Sequence, residues 1–502
     1  MRFNDGDLGG GGNDAIKAKA RTGQQLAVFI DRALPPSGRF SGGTPQLWLR
    51  NASGLAWTTS QRLLFSRIRV AEHMGIVAAS ETGSNGREVY LPPHDRGMAH
   101  RSYPSPDGKY VLVSEMDNGE WLPCRVVPLD GSSSGRQVGP PGAPCTSGAW
   151  SPDGNWIYIG ARTGDNFHLW RQRFPAGKPE QITSGPTAEE GIAVAPDGRS
   201  LITSVGLRQR TVKIHDPSGE RQVSVEGYAY SPVLSPDGKH LYYRVLRGGT
   251  SPFLGASELW SVDLESGHND LLLPGFAVTH FRLSHDGKRI VFSALDADRK
   301  NRLWIGPADL HTPPQQVPNA EGDMADFGPR GELIFHALEG TSTYAFRIRE
   351  DGTGLQKLTK RQVSQIQGVS PDGQWVMIMS PSGVDPSLEA TWACPTFGGE
   401  AIRIIDGLWQ FRWQPDGRIL YASFSTAMQA AGATGRTYIF QLTPGKMLPP
   451  IPAGGFHSES ELARLSARPP IEVADIGAGP NQNVYAYSRE AVQRNLYRIP
   501  LH

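Results

Sequence analysis

Two short patterns in the sequence match motifs that carry chemistry in enzymes, and the first is a kinase-like tripeptide. Asp326-Phe327-Gly328 matches the tripeptide whose aspartate holds magnesium in protein kinases. A kinase also needs an HRD catalytic loop, and the nearest match, His94-Asp95-Arg96, has the wrong order. A three-residue match outside its structural context is a poor signal. We therefore predict that Asp326 is not catalytic and lies on the first strand and turn of a degenerate repeat, DFGPRGELIFHA.

The second pattern is GSSSG at residues 131–135, which fits the GxSxG motif of serine hydrolases. A nucleophile elbow needs a strand before the serine and a helix after it, whereas here small residues connect two strand-like runs. We also expect no α/β-hydrolase domain after the last repeat, because the chain ends there at His502. Ser133 is therefore predicted to have no catalytic role.

The 13 histidines form no HExxH motif and no other short paired spacing. An alternative stays open, in which distant histidines, or the aspartates of the turns described below, assemble a metal site in the fold. The histidines considered are His94, His100, His168, His215, His240, His268, His280 and His457. Unpaired histidines are more often structural or surface groups. The sequence therefore predicts no catalytic, cofactor-binding or metal-ligating residue, and no cofactor.

The most informative feature is a repeated unit of the form SPDG, then Lys or Arg, then an apolar run. Seven copies have their turn aspartate at Asp107, Asp153, Asp197, Asp237, Asp286, Asp372 and Asp416. Degenerate copies share the frame at Ser60, Arg330, Asn481 and Thr22. Successive turns are 38 to 49 residues apart, except the last two, which are 65 apart, and a spacing in the forties is the period of a propeller blade.

The residue types of one unit explain its structure. Proline presets the first corner of the turn, aspartate bonds its own backbone, and glycine takes the corner where φ is positive. The apolar run that follows, such as WIYI from Trp156, lacks alternation, which is typical of a strand covered on both faces. A third strand carries an aromatic anchor that we expect to pack between blades. The anchors are Leu47-Trp48, Leu169-Trp170, Leu259-Trp260, Leu303-Trp304 and Leu496-Tyr497.

The repeated unit resembles the WD40-like repeat of TolB-type propellers, and it covers the chain from about residue 21. Related blades occur in dipeptidyl and prolyl oligopeptidases. The later part, including GPPGAPCTSGAWSPDG and REAVQRNLYRIPL, also resembles propeller segments attached to bacterial serine/threonine protein kinases. The resemblance implies a fold, and it leaves binding and catalysis open.

We predict an all-β fold, a β-propeller of about ten to eleven four-stranded blades. Because four to eight blades are usual in one ring, we predict two tandem rings, of which the first is truncated. The predicted organisation is a glycine-rich lead at 1–20, the first propeller at 21–190 and the second at 191–502, with the ring boundary left open. The last blade stops at its third strand, so a strand from elsewhere is expected to complete it.

An insertion between Asp416 and Asn481 is expected to carry one short helix capped by a serine, within SESE at 458–461. Because insertions in propellers form surface loops, it is the best candidate for a partner-specific feature, and an ornamental loop is the equal alternative.

Bulk composition excludes some partners. There are 50 basic and 49 acidic residues, so no overall electrostatic field favours binding to nucleic acid or to a membrane surface.

Cys124, Cys145 and Cys394 are expected to be buried free thiols, with a Cys124–Cys145 bridge as the alternative for an exported chain. No apolar run is long enough to span a bilayer, and no signal peptide is recognisable. A cytoplasmic location is the default, an extracytoplasmic one the alternative for part of a membrane-anchored receptor kinase. We expect the ordered part to begin upstream of Met1.

These observations predict a non-enzymatic interaction or sensor module. It binds a protein or peptide partner, or a small ligand, through the loops of one face. The runner-up is a propeller hydrolase or lyase with its active site in the channel, built from distant His, Asp and Arg side chains. A TolB-like envelope component is the third hypothesis.

Overall fold

The fold is described from a computed structural model of the chain. It covers residues 15–18, 27–30, 49 and 52–501, except 61, 69–73, 95–96, 118–119, 165, 225–226, 247–256, 299, 341, 383–388, 426–434, 467 and 475. Within the predicted lead, residues 15–18 form a strand, and the rest of it lies outside the described residues. The degenerate turn at Thr22 and the Leu47-Trp48 anchor also lie outside them.

The chain is a β-propeller protein that divides into two compact units. Unit 1 comprises Met1–Arg208, Gly248–Leu254 and Val492–His502, and unit 2 comprises Gln209–Arg247 and Gly255–Ala491. The predicted ring ranges, 21–190 and 191–502, stay a prediction. Among the described residues, no helix is long and apolar enough to cross a membrane.

Unit 1 begins with a hairpin and continues with strands paired as blades in the described part of the chain. The hairpin is β1 (Ala15–Ala18) with β2 (Ala27–Ile30). The next two blades are β3 (Ala52–Trp57), β4 (Leu63–Ile68), β5 (Met74–Ala79) and β6 (Arg87–Tyr90), then β7 (Gly97–Pro104), β8 (Tyr110–Asp117), β9 (Glu120–Trp121), β10 (Arg125–Pro128) and β11 (Arg136–Gln137). The last two are β12 (Cys145–Trp150), β13 (Trp156–Thr163), β14 (Asn166–Arg173) and β15 (Pro179–Gln181), then β16 (Ala188–Val194) with parts of β17 (Ser200–Asp216) and β39 (Tyr485–Pro500).

Unit 2 contains six blades in its described residues. Blades 1 to 3 are β19 (Tyr228–Leu234), β20 (His240–Leu246), β21 (Ser257–Asp263) and β22 (Asn269–Leu271); β23 (Ala277–Leu283), β24 (Arg289–Leu295), β25 (Asn301–Pro307) and β26 (Gln315–Glu321); and β27 (Asp323–Phe327), β28 (Glu332–Glu339), β29 (Ser342–Arg349) and β30 (Gln356–Lys357). Blades 4 and 5 are β31 (Gln365–Val369), β32 (Trp375–Pro381), β33 (Glu389–Pro395) and β34 (Ile402–Asp406), then β35 (Trp409–Trp413), β36 (Ile419–Ser425) and β37 (Gly435–Gln441). Blade 6 is β38 (Gly477–Ala478), β39 up to residue 491, β17 from residue 209 and β18 (Gly219–Gln222).

Blade 6 closes the ring of unit 2, because it combines strands from the two ends of the unit. The blade at Asn481 has two strands of its own, β38 and β39, and takes β17 and β18 from elsewhere in the chain. Completion from elsewhere is thus confirmed, but the prediction that Leu496-Tyr497 forms its third strand is wrong. Six hydrophobic clusters each join two consecutive blades, and the cluster of Val212 and Ala486 with Leu241 and Tyr243 joins blade 6 to blade 1. Burial of these side chains stabilises the ring.

Polar contacts also link every neighbouring pair of blades in unit 2. Each pairs a side chain with a backbone group or with a second side chain. In ring order they are Arg244 to the carbonyl of Thr279, the Thr279 hydroxyl to Asp323 (3.0 Å), the Val369 N–H to Asp326 (2.9 Å), Gln367 to the carbonyl of Trp409 (2.7 Å), Gln414 to the carbonyl of Gly479 (3.3 Å) and the Tyr228 hydroxyl to Glu490 (3.0 Å).

The SPDG turns have the predicted geometry. In the blade of Asp153, Gly154 has φ 72°, and the Asp153 carboxylate accepts from the Ser151 hydroxyl (2.5 Å) and from the N–H of Asn155 (3.1 Å). The Ser151 hydroxyl in turn accepts from the N–H of Trp156 (2.9 Å). The sequence therefore encodes this turn through its serine, aspartate and glycine together.

The aromatic anchors are confirmed only in part. Leu169, Leu259 and Leu303 are fully buried on third strands, and the tryptophans beside them are half-buried. Leu496 and Tyr497 are 76% and 52% exposed, so this pair is not an anchor.

The insertion after β37 contains the predicted helix, α1 (Glu459–Ala463). Ser458 is its N-cap and accepts from the N–H of Glu461 (3.3 Å). Leu462 is buried in the cluster that joins blades 4 and 5, and Ile471 pairs with Thr437 at the open edge of β37. The insertion therefore covers blade 5 where the other blades have a fourth strand.

The cysteines differ from the expectation of three free thiols. Cys124 and Cys145 form a disulfide, with their Cα atoms 5.2 Å apart, and only Cys394 is free and buried. Cys124 directly precedes β10 and Cys145 begins β12, so the bond connects two consecutive blades of unit 1. Spacing alone did not reveal this, because the half-cystines lie at a blade junction.

Candidate functional site

The inner strands of unit 2 surround the axis of its ring and carry the residues that most resemble a site. Their pairing shifts by a β-bulge in each of the first four blades, for example between Val278 and His280 and between Asp323 and Asp326. A bulge bends the strand and redirects the neighbouring side chains, and it is common next to functional sites.

Two arginines occupy the same repeat position on the inner strands of blades 2 and 5. Arg282 lies four residues before the turn aspartate Asp286, and Arg412 lies four residues before Asp416. In a ring of six blades, blades 2 and 5 face each other across the axis. Both side chains are half-buried. Two cations therefore approach the channel from opposite walls.

The contacts of Arg282 show how far its side chain reaches. It donates to the carbonyl of Gln367 on blade 4 (2.8 Å), and its Nε lies 3.9 Å from the carboxylate of Asp326 on blade 3. Its guanidinium therefore passes in front of blade 3 from blade 2. At 3.9 Å the Asp326 contact is a long ion pair, because that carboxylate already accepts from the N–H groups of Phe327 (2.7 Å) and Val369 (2.9 Å).

Two further arginines stack on tyrosines at the junction of blades 6 and 1. The Arg244 guanidinium lies over the Tyr230 ring at 4.5 Å, and Arg210 lies 5.8 Å and 5.9 Å from the rings of Tyr228 and Tyr230. Arg244, Arg210 and Tyr230 are all buried. Cation–π contacts of this kind hold guanidinium groups in place without neutralising their charge.

His280 lies close enough to Arg282, Arg244 and Arg412 for their positive charges to lower its pKa. Burial, and then the positive charges of Arg282, Arg244, Arg412 and His336, hold the pKa of His280 well below its usual value. The residue as a whole is half-buried, and its Nδ1 is buried. The influence of Arg412 on His280 places blades 2 and 5 within electrostatic range. His280 is therefore neutral at pH 7.

Two buried polar atoms of this cluster have no hydrogen-bond partner within the described residues. They are the hydroxyl of Tyr230 and Nδ1 of His280. Buried polar groups are normally paired, and each exception needs an explanation. Since both atoms belong to the arginine cluster, a ligand in the channel is one explanation. We call Arg244, Arg282, Arg412, His280 and Tyr230 the channel cluster.

The acidic groups near the channel cluster take part in the links between blades. Asp323 accepts from Thr279 (3.0 Å) and from the N–H of Met324 (2.7 Å), and Glu490 accepts from Tyr228 (3.0 Å). Asp326 bridges blades 3 and 4 as described above. Of the described residues, no three His, Cys, Asp or Glu side chains are grouped to hold a metal ion. The arrangement is suited to binding an anion.

The residues singled out in the sequence lie in several different places. Asp326 is on the first strand of a degenerate blade, as predicted, where it binds backbone. Ser133 lies in the exposed connection between β10 and β11, which is also the predicted context. Among the eight histidines, only His280 belongs to the channel cluster. His168 contacts Glu189 (2.9 Å), and His215 stacks on Tyr485.

Sequence reasoning missed the four arginines and Tyr230. A signal was present, because aligning the repeats on the turn aspartate places Arg282, Asp326 and Arg412 in one column. A charged column on otherwise apolar inner strands marks the positions that line the axis.

A separate cleft lies on blade 2, lined by Phe276, Trp304, Asp296 and Arg302 among others. Its groups satisfy one another, since Phe276 packs edge-on against Trp304 (5.0 Å) and Arg302 pairs with Asp296 (2.8 Å). The channel cluster therefore remains the better candidate.

Unit 1 has buried ionisable groups of its own, and these are paired. Glu115 accepts from the Tyr90 hydroxyl (2.6 Å) and from Arg125 (3.1 Å). Glu189 accepts from Thr183 (2.9 Å) and contacts His168. These contacts hold blades together and offer no comparable site.

No protein-family model and no curated protein matches the sequence. Among solved structures, TolB from Acinetobacter baumannii is 16% identical, with a TM-score of 0.36, over 59% of this chain and 76% of that one. Puromycin hydrolase is 14% identical, with a TM-score of 0.32, over 75% of this chain and 58% of that one. Oligogalacturonate lyase from Vibrio parahaemolyticus is 12% identical, with a TM-score of 0.30, over 68% and 97%.

Proposed function

We propose that the chain is a non-enzymatic binding module whose unit 2 takes a segment of a protein or peptide partner into its channel. The observation that carries the proposal is the channel cluster itself. It brings arginines from opposite blades together with two unpaired buried polar atoms. Concave sites with a few convergent polar groups are the usual form of ligand sites.

The physical support is that the channel cluster is built for fixed charge. Arg244 is held by the Thr279 carbonyl and the Tyr230 ring, and Arg282 by the Gln367 carbonyl. Side chains held in this way lose little conformational entropy when a ligand binds, which favours binding.

The second candidate is a hydrolase or lyase active in the same channel. The observation in its favour is His280, whose neutral imidazole is available as a general base beside cations that stabilise a developing oxyanion. Attachment to a bacterial serine/threonine kinase rests on the sequence resemblance alone and stays a prediction.

Selection from a defined random-peptide phage library on the immobilised chain tests the proposal. Selected peptides are synthesised and titrated by calorimetry against the wild type, Arg412→Gln and a control, Arg418→Gln. Arg418 lies in the same blade with its side chain 85% exposed. We expect one site per chain, loss of binding in Arg412→Gln only, and an unaltered peptide by mass spectrometry.

Two outcomes contradict the proposal. Peptides that bind wild type and Arg412→Gln equally would place the site outside the channel. Conversion of a peptide or small substrate with steady-state turnover, lost on Arg412→Gln, would make the chain an enzyme.

A further inference from the structure

We infer that the last blade of unit 1 binds an extended segment of a partner protein, which adds to the blade as its fourth strand and places an acidic residue opposite Arg498. This surface shares no residue with the channel cluster, so the inference does not depend on the proposed function. The blade consists of β16, β17 up to residue 208 and β39 from residue 492. The other three blades of unit 1 end in an outer strand, β6, β11 or β15, whereas no such strand follows β39 within the described part of this blade.

The apolar side chains of this blade are unusually exposed. Nine large apolar side chains are exposed among the described residues, and four of them, Ile202, Leu207, Leu496 and Tyr497, lie on β17 and β39. Single exposed apolar residues are normal on a protein surface, whereas a group of them marks an interaction site. An edge strand also offers unpaired N–H and C=O groups to another chain. Both features favour the addition of a strand beside β39.

The preceding blade, that of Asp153, is complete and shows what belongs beside β39. In that blade the N–H of Phe174 donates to the carbonyl of Asn155, two residues after the turn aspartate (2.8 Å). In the last blade the N–H of Leu501 donates to the carbonyl of Arg199, again two residues after the turn aspartate (2.8 Å). The residues that precede these two donors therefore occupy equivalent positions. They are Leu169-Trp170-Arg171 on β14 and Leu496-Tyr497-Arg498 on β39.

The fourth strand of the complete blade, β15, supplies a carboxylate and an apolar side chain to its triplet. Glu180 lies opposite Arg171, with 2.8 Å between its Oε2 and the arginine Nε. Ile182 donates its N–H to the carbonyl of Leu169 (2.8 Å) and packs against the cluster that buries Leu169. The same geometry beside β39 requires an antiparallel strand with an acidic residue and, two residues further along, an apolar one.

Arg498 is the cation that such a carboxylate would meet. It is exposed, its Nε donates to the Ser200 hydroxyl (2.9 Å), and it forms no ion pair with any described residue. Arg494, by contrast, is already paired with Glu190 (3.3 Å). Opposite charges on facing strands stabilise a sheet. The partner strand therefore needs one acidic residue, opposite Arg498.

A second copy of the chain is a less favourable occupant of this edge. Two β39 strands paired antiparallel, with Leu496 opposite Leu496, would put Arg498 of each copy opposite Arg494 of the other. Like charges directly opposite each other are destabilising. A strand of another protein avoids this repulsion, and its main-chain hydrogen bonds supply affinity while its side chains supply specificity.

The experiment is a fluorescence-anisotropy titration of the full chain with three N-terminally labelled hexapeptides at low ionic strength. The first, Lys-Pro-Glu-Gln-Ile-Thr, repeats residues 178–183 of the chain. The second has lysine in place of the glutamate, and the third has an N-methyl group on the isoleucine nitrogen, which removes the donor that corresponds to the Ile182 N–H. The proteins are wild type, Arg498→Glu and Arg418→Glu, which makes the same charge change at an exposed residue of unit 2. Far-UV circular dichroism confirms that each variant is folded.

We expect the glutamate peptide to bind wild type and Arg418→Glu alike. Arg498→Glu should weaken this binding by a factor of about 2 to 30, because an exposed ion pair worth a factor of about 1.4 to 5 becomes a repulsion of similar size. The same variant should bind the lysine peptide more tightly than wild type does. The N-methylated peptide should not bind, since strand addition needs its N–H. Hydrogen exchange at residues 493–500 should slow when the glutamate peptide is bound.

The other outcomes contradict the inference in distinct ways. Equal binding of the glutamate peptide by wild type and Arg498→Glu would place its site elsewhere. Equal binding of the N-methylated peptide would exclude strand addition. A stable wild-type dimer with residues 493–500 protected from exchange in the absence of peptide would assign the edge to a second copy. Failure of all three peptides to bind would refute the inference and leave the proposed function of unit 2 standing, because the selected peptides and Arg412→Gln test that function separately.

Discussion

A pair of glycine substitutions tests the packing that closes the ring of unit 2. Gly331 and Gly373 occupy the same turn position in blades 3 and 4, with φ 72° and 71°. A Cβ added at Gly331 meets no atom within 4 Å, whereas one added at Gly373 lies 2.3 Å from the Pro329 Cβ and 2.9 Å from its Cα. The two substitutions by alanine therefore share a backbone cost and differ in one contact between blades.

The magnitudes follow from these distances. Left-handed backbone costs an alanine about 1–2 kcal/mol. Reduced freedom of the unfolded chain offsets about 0.4–1 kcal/mol. Gly331→Ala should therefore lose about 1 kcal/mol of unfolding free energy. Gly373→Ala adds a clash with the ring of Pro329 and its backbone, and overpacking of this kind costs about 1–3 kcal/mol more.

The assay is urea unfolding of the full chain followed by far-UV circular dichroism, with both variants measured beside the wild type. The difference between the two losses reports the contact of the Gly373 turn with Pro329. If the two variants lose unfolding free energy equally, within the scatter of about 0.5 kcal/mol that is usual for surface substitutions, the packing of the Gly373 turn on Pro329 in the preceding turn would be refuted.

Three further perturbations have outcomes set by other contacts. Reduction of Cys124–Cys145, which are 21 residues apart, should lower stability by about 3 kcal/mol, and thiol titration of the denatured, unreduced chain should find one thiol, against three after reduction. Gln367→Ala should cost about 1–3 kcal/mol in the same urea assay, because it leaves the Phe411 N–H unpaired and leaves the Trp409 carbonyl only its 3.5 Å contact with the Thr391 hydroxyl; an unchanged midpoint would exclude that link. Hydrogen bonds, of which that from Ser151 has the largest effect, lower the pKa of Asp153 below its usual 3.8, and the other turn aspartates Asp107, Asp237 and Asp286 behave in the same way. The ionised carboxylates therefore stabilise the folded chain fully above pH 3.8, and this stabilisation is lost as the pH falls through their lowered pKa in the folded chain. Thermal unfolding between pH 5 and pH 2 checks the last point, and replacement of Ser151 by alanine should flatten the pH dependence.

The fold could be predicted from the sequence because neighbouring residues within each repeat determine its turn and its buried strand. Each turn is encoded by an aspartate and a glycine, with a serine two residues before the aspartate in five of the seven copies, and the apolar run after it indicates burial on both faces. The sequence predicted that the last blade lacks one strand, whereas blade 6 takes two, β17 and β18, from the beginning of unit 2. The disulfide and the covering role of the insertion depend on contacts between blades, which spacing does not encode.

The candidate site was not predicted, because its members are far apart in the sequence. Arg282 and Arg412 meet only when the ring is closed, and Arg244 comes from a second strand. Searching for catalytic motifs directed attention to Asp326 and Ser133, whereas the channel cluster consists of three arginines, a tyrosine and His280, which the sequence analysis considered only among eight histidines. Aligning the repeats on the turn aspartate places Arg282 and Arg412 at the same position, so comparing the repeats position by position would have identified them.

Crystallography with bromide tests the central claim most directly, because bromide is an anion that anomalous scattering identifies. Crystals of the full chain are soaked in sodium bromide, and data are collected at the bromine edge. The account predicts a closed ring of six blades in unit 2 and a bromide ion in its channel, in contact with the guanidinium of Arg412 or Arg282. Bromide found only on exposed arginines such as Arg418, with the channel free of anomalous signal, would contradict it.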